Sequence, residues 1–157
     1  MSAKLAFHWI QSKIIASLMP IEEASFDNPW TLKEFKRIYT QKPILGIAVE
    51  HDRKWVAFTV FKNGTRKVEL LNFAVHPDYR RMGIGSRLLS EVVLLAGERQ
   101  IFGIVSEYST PAHLWLKANG FRATKVERNA YDVCDASAYY FSHKPIKTKA
   151  ARMPAGS

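Results

Sequence analysis

With 157 residues, 47% of them hydrophobic, the chain suits one domain around one buried core, and a second domain is not expected. No apolar run approaches the roughly 18 residues that span a bilayer, and Lys4, His8, Gln11 and Lys13 interrupt the N-terminal segment, which argues against a membrane or secreted protein. A formal charge of +9 invites a nucleic-acid role, but the bases lack the interleaved aromatics of a single-strand platform, so no sequence-specific nucleic acid is expected as a partner.

In chain order, residues 7–11 read as a first strand and 14–24 as a helix. The segment Asp27-Asn28-Pro29-Trp30-Thr31 is turn-like, and Thr31 with Glu34 makes a capping box for a helix reaching Tyr39. Strands are expected at 44–50, 55–61 and 67–75. Asn63-Gly64 between the last two is a hairpin turn, although Asn63-Gly64-Thr65 also satisfies the glycosylation pattern. Pro77 stops the third strand. From Ile84, the apolar positions Leu88, Leu89, Val92, Val93, Leu95 and Ala96 form a helical stripe that ends at Gly97. A strand at 101–107, a helix at 111–118 closed by Gly120, and strands at 121–128 and 138–143 complete the pattern. Helices alternating with strands around a central meander predict an α/β fold with a mixed sheet covered by helices.

The domain is expected to occupy residues 1–143, with 144–157 a basic, flexible tail carrying Lys144, Lys147, Lys149 and Arg152 among prolines and glycine. The single cysteine, Cys134, cannot form an internal disulfide, and His8, His51, His76, His113 and His143 show no metal-ligand spacing. A cytoplasmic protein without a metal is therefore expected.

Residues 71–89 concentrate the chemistry: an apolar strand, a basic turn with two glycines, then an amphipathic helix. A helix start presents backbone N–H groups without partners and the positive end of the macrodipole, and Gly83 and Gly85 let an anion come close. Arg80 and Arg81 add cationic donors. The dinucleotide fingerprint fails because Leu88 stands where its third glycine belongs, and the Gly-Lys-Ser/Thr of a P-loop is absent. What remains is a different kind of pyrophosphate cradle.

The spacing Arg80-x-x-Gly83-x-Gly85, preceded by Val75-x-Pro77 and followed by Leu88-Leu89, resembles the acetyl-CoA loop of the GNAT N-acetyltransferases. Phe26-Asp27-Asn28-Pro29-Trp30-Thr31, Leu71-Asn72-Phe73-Ala74-Val75, Leu116 to Phe121 and Arg128-Asn129-Ala130-Tyr131 are similar to segments of the ribosomal-protein alanine N-acetyltransferases within it. Together these cover residues 14–143. The resemblance implies the GNAT fold, a mixed sheet of about seven strands flanked by about four helices. It also implies acetyl-CoA as donor and a primary amine as acceptor, preferably a protein N-terminus, with a small-molecule amine as second choice and a homodimer as one expected assembly. Donor contacts would fall on Phe73, Ala74 and Val75, on Arg80, Arg81, Met82, Gly83, Ile84, Gly85 and Ser86, and on Ser109 where the family has an asparagine.

Two departures bear on catalysis. Ile104 stands where that branch keeps a glutamate base, and Leu116 where it keeps a tyrosine acid. Ala136-Ser137-Ala138 also replaces its late Glu-Asp-Ala. Chemistry survives such losses more easily on an α-amine, whose deprotonation at pH 7 costs about 1.4 kcal/mol against about 4.6 for a lysine. Glu69 is the first replacement base, where the histone-acetylating branch keeps its glutamate, and strand alternation sets it with Leu71, Phe73 and Val75; a rim glutamate paired with Arg66 or Lys67 is the competing reading. Glu107 is the second choice. Tyr131 is the acid candidate, ahead of Tyr108, Tyr139 and Tyr140. Trp30 is read equally as a packed aromatic or as part of a substrate groove. A non-catalytic acyl-CoA-binding module and an RNA-associated basic protein are the rival functions.

Overall fold

The computed structural model describes residues 4–106, 115–127 and 138–143. Its strands are β1 Leu5–Trp9, β2 Ile44–His51, β3 Lys54–Asn63, β4 Lys67–Val75, β5 Gln100–Ser106, β6 Arg122–Glu127 and β7 Ala138–His143. They form one sheet in the order β1-β2-β3-β4-β5-β7-β6. Helices α1 Ile15–Ser25, α2 Leu32–Tyr39 and α3 Ile84–Ala96, with helical residues 115–118, complete the α/β architecture that the alternating pattern predicts. By contact density the chain divides into residues 1–64 with 69–92, and residues 65–68 with 93–157.

In the first unit, α1 and α2 bury one stripe each. Ile15, Leu18 and Ile21 recur at helical spacing and pack with Phe35 of α2 against Ala48, Phe58, Val60 and Ala74 from the strands. Thr31 and Glu34 form the expected reciprocal cap: the Glu34 N–H donates to Thr31 Oγ1 at 3.1 Å, and the Thr31 N–H to Glu34 Oε1 at 3.3 Å. At the far end of α2 the Tyr39 hydroxyl donates to the Ile10 carbonyl at 2.6 Å, and burial raises its pKa. β1 pairs antiparallel with β2, and β2 with β3. The β2–β3 hairpin turns on Asp52 and Arg53, both left-handed (φ 51° and 63°), the geometry of a two-residue type I′ loop. Sequence reasoning did not see this turn, because neither residue is glycine. β3 runs to Asn63 and β4 starts at Lys67, so the chain does reverse after Asn63 as expected, through residues 64–66.

In the second unit β7 lies between β5 and β6, antiparallel to both. The helical segment 115–118 closes as anticipated at Gly120. The Phe121 N–H donates to the Leu116 carbonyl at 2.9 Å and the Gly120 N–H to that of Lys117 at 3.1 Å, a Schellman motif. Residues 111–114 of the expected helix, the strand ends Glu107 and Arg128, and the tail 144–157 lie outside the described residues.

Candidate functional site

The strand-turn-helix segment is folded around backbone hydrogen bonds. β4 ends at Val75, and the His76 N–H donates to the Val56 carbonyl at 2.8 Å. Pro77–Tyr79 then make a single 3-10 turn, capped by the Asp78 N–H donating to His76 Nδ1 at 3.1 Å. Arg80 follows in extended conformation, its Nε donating to the Val75 carbonyl at 2.9 Å. That bond folds the guanidinium back toward the strand end while its Nη groups remain suited to an anion. The same carbonyl accepts from Ser25 Oγ at 3.5 Å, which joins the last residue of α1 to the start of the turn.

The next three residues give the turn its character. Arg81 and Gly83 are left-handed (φ 64° and 77°), flanking exposed Met82. For Arg81 this conformation costs about 1–2 kcal/mol, strain of a kind that clusters at functional turns. Left-handed residues in such a turn aim successive N–H groups toward one concavity, an arrangement that binds anions. A Cβ built on Gly83 would meet nothing within 4 Å, so the space above the backbone is open. α3 begins at Ile84, anchored by buried Ile84 and Leu88, and its first rung is the Arg87 N–H donating to the Gly83 carbonyl at 3.1 Å. The N–H groups of Ile84, Gly85 and Ser86 therefore precede the ladder at the positive end of the helix. These residues fit a diphosphate.

The other expected site residues fall only partly within the described residues. Phe73, Ala74 and Val75 end β4, with Ala74 in the core beside α1. Leu71 packs against that same cluster, so the alternation that would set Glu69, Leu71, Phe73 and Val75 together on the opposite face is not strict. Glu69 is half-buried on β4 and has no salt bridge among the described residues; Lys67, one of its two anticipated partners, instead sets Nζ 5.0 Å over the Phe102 ring. Leu116 is buried. Tyr139 and Tyr140 stand on β7 opposite Val105 and Ile104 of β5. Glu107, Tyr108, Ser109, Tyr131 and Cys134 lie outside the described residues. Trp30 is half-buried, edge-on to Phe35 at 5.4 Å, which accounts for its indole as packing. Among the described residues no group of three or more His, Cys, Asp or Glu could hold a metal, and no helix is long and apolar enough to cross a membrane.

Sequence reasoning missed Glu22. It is 2% exposed on α1, its Oε2 accepting the Trp30 N–H at 2.8 Å and its Oε1 the Asn72 amide at 2.7 Å. Buried Thr59 continues the chain, its hydroxyl donating to the Asn72 carbonyl at 2.8 Å. Burial raises the Glu22 pKa, and the two hydrogen bonds partly oppose that rise. The signal was available: Glu22 stands four residues after Leu18 and seven after Ile15, on the buried stripe of α1.

Comparison with known proteins gives a consistent outcome. The model of the acetyltransferase (GNAT) family matches residues 15–121. The [ribosomal protein bS18]-alanine N-acetyltransferase of Escherichia coli K12 is 26% identical over 118 residues, covering 73% of this chain and 79% of that protein. The crystal structure of the ribosomal-protein alanine N-acetyltransferase from Escherichia coli superposes with a TM-score of 0.82 at 21% identity, covering 92% of this chain and 96% of the other. Ard1 from Thermoplasma volcanium superposes with a TM-score of 0.80 at 22% identity, covering 91% and 99%.

Proposed function

The chain belongs to the acetyltransferase (GNAT) family, and on that premise we propose that it transfers the acetyl group of acetyl-CoA to the α-amine of a protein N-terminus. The observation that carries the donor half is the turn itself. Left-handed Arg81 and Gly83 lead into α3, whose first-turn N–H groups precede its ladder, and the Arg80 guanidinium is bonded to the end of β4, an arrangement that supports diphosphate binding. The preference for an α-amine is supported by the bS18-alanine N-acetyltransferase relative.

Acetyl-CoA supplies an activated acyl carbon and a thiolate leaving group. The chain supplies the rest. Arg80, Arg81 and the backbone from Met82 to Ser86 hold the diphosphate, and the backbone of Phe73 to Val75 guides the acyl arm, with Ser109 as a further donor contact. Such fixed placement accounts for much of the rate, because orienting the amine against the acyl carbon removes an entropic cost from the reaction step. Glu69 takes the proton lost by the amine as it becomes an amide, with Glu107 as the alternative base, and Tyr131 protonates the departing sulfur. The leaving thiol has a pKa comparable to about 8.5 for cysteine and needs little help from an acid. Residues 1–143 act as one catalytic domain followed by the basic tail, in the cytoplasm.

The test is a peptide-library acetylation assay with acetyl-CoA, read by mass spectrometry, alongside donor hydrolysis without acceptor. Acetyl groups on peptide N-termini are expected. Acetylation confined to lysine side chains or small amines would refute the acceptor assignment, and donor binding without turnover across the panel would refute transfer.

A further inference from the structure

A carboxylate buried beside an apolar cluster is costly, and replacement by a well-packed apolar residue is often neutral or stabilising. Glu22 carries that cost, and its two oxygens are divided between two segments. Oε1 is held by the side chain of Asn72, the residue before Phe73 on the strand assigned above to the acyl arm. Oε2 is held by the backbone of Trp30, in the connector between α1 and α2. Thr59 fixes the Asn72 backbone in turn.

The connector has the chemistry of a peptide-binding lip. Phe26 and Leu32 at its ends are 39% and 37% exposed, and Asp27 places an exposed carboxylate between them. Exposed apolar side chains flanking a carboxylate complement a peptide whose N-terminus is an ammonium and whose first side chains are apolar. Ser25, one residue before this lip, also reaches the end of β4 through the Val75 carbonyl. The lip therefore borders the strand along which the acyl arm is placed.

We propose that Glu22 is a positioning residue for the acceptor: it fixes the connector carrying Phe26, Asp27 and Leu32 against β4, and so sets where a peptide N-terminus meets the acyl carbon. The proposal rests on the amine-acetyltransferase reading. Glu22 itself touches neither substrate. Both of its oxygens are occupied by N–H donors in the free protein, so its influence passes through Trp30 and Asn72.

The test compares the parent enzyme with Glu22→Met and Glu22→Gln, using an N-terminal alanine peptide that the parent acetylates. Methionine keeps the length but accepts from neither N–H donor. Its acceptor KM rises about tenfold, the weight of one hydrogen bond to a charged group, while the donor KM and acceptor-free donor hydrolysis stay unchanged. Amide exchange at Trp30 quickens. Glutamine accepts from the Trp30 N–H through its oxygen and, with the Asn72 amide turned over, donates to the Asn72 side-chain oxygen, which recovers most of the acceptor KM and the slow exchange. Recovery by the hydrogen-bonding variant, with the donor KM constant throughout, separates positioning from general destabilisation. A folded Glu22→Met enzyme with the parent's acceptor KM overturns the proposal, as do equal losses in both KM values or failure of Glu22→Gln to recover. If the parent acetylates no amine at all, the acetyltransferase reading falls first and the proposal with it.

Discussion

Gly83 and Gly97 form a matched pair that isolates what the turn contributes. Both are left-handed, φ 77° and 60°, and a Cβ built on either meets nothing within 4 Å. Alanine therefore introduces no clash at either place, and its cost is conformational: about 1–2 kcal/mol for holding a side-chain-bearing residue in the left-handed region. The two differ only in setting. Gly83 precedes the first rung of α3, whereas Gly97 ends the helix, its N–H donating to the Val93 carbonyl at 3.1 Å. Gly97→Ala should lower thermal stability by that amount, a few degrees in Tm, and leave the donor KM unchanged. Gly83→Ala either keeps the left-handed turn at the same cost or relaxes it and swings the N–H groups away from the diphosphate. Donor affinity then falls by up to the whole strain, about five- to thirtyfold. Isothermal titration with CoA and steady-state kinetics on both variants, with Tm measured alongside, decide it. Equal donor affinities in Gly83→Ala and Gly97→Ala, with the Tm of Gly83→Ala unchanged from the parent's, would show that the turn's left-handed geometry plays no part in donor binding.

Three further outcomes follow. Glu69→Gln should slow turnover on an α-amine peptide about tenfold at pH 7, where only about one amine in ten is already deprotonated, and the deficit should shrink as pH rises past about 8; a rate equal to the parent's at pH 7 removes Glu69 as the base. Burial raises the Glu22 pKa above 4.5, so the folded chain holds that proton more tightly than the unfolded one. Its favourable contribution is thus complete below about 4.5 and lost as pH rises through the folded-state value. The stability difference between parent and Glu22→Gln should follow that slope across a Tm series from pH 4.5 to 8, and a flat or rising difference contradicts it. Leu116→Tyr restores the family's acid by residue type but places a larger, polar side chain where Leu116 is only 4% exposed. Overpacking should cost about 1–3 kcal/mol with no gain in kcat, and a faster enzyme of unchanged Tm would refute the apolar assignment of that position.

What was legible in the sequence was what near neighbours decide. Thr31 and Glu34 cap α2 because their side chains reach backbone three residues away, and the stripe from Ile84 to Ala96 ends at Gly97 because the helix has a period and a stop. β4 is found at 67–75 as expected, because Pro77 cannot extend it. β3 runs from Lys54 to Asn63, beyond the expected 55–61, since its polar ends carry no apolar signal and are held by pairing. The left-handed state of Arg81 and Arg53 could not be read, because nothing in an arginine side chain marks it and the surrounding fold imposes it, while Asp52 offered only the weak general tolerance of aspartate for that region. The place of Glu22 on the buried stripe of α1 could be read from helical spacing, but not its partners, since Asn72 is fifty residues away and Trp30 lies beyond the helix.

Glu22 and Glu69, in the roles proposed for them, are fitted for different work by what surrounds them. Glu22 is desolvated, which by itself is how a general base is often tuned, but both oxygens are already accepting N–H donors at 2.7 and 2.8 Å. Taking a proton from an amine would break one of those bonds and release either the strand or the connector at the moment of reaction. Glu69 is half-buried, with no salt bridge among the described residues, and can accept a proton without dismantling a tie. On the proposed reading, holding and proton transfer thus fall to two different carboxyls. The two hydrogen bonds that satisfy Glu22 in its buried place, rather than the burial, are what disqualify it as the base.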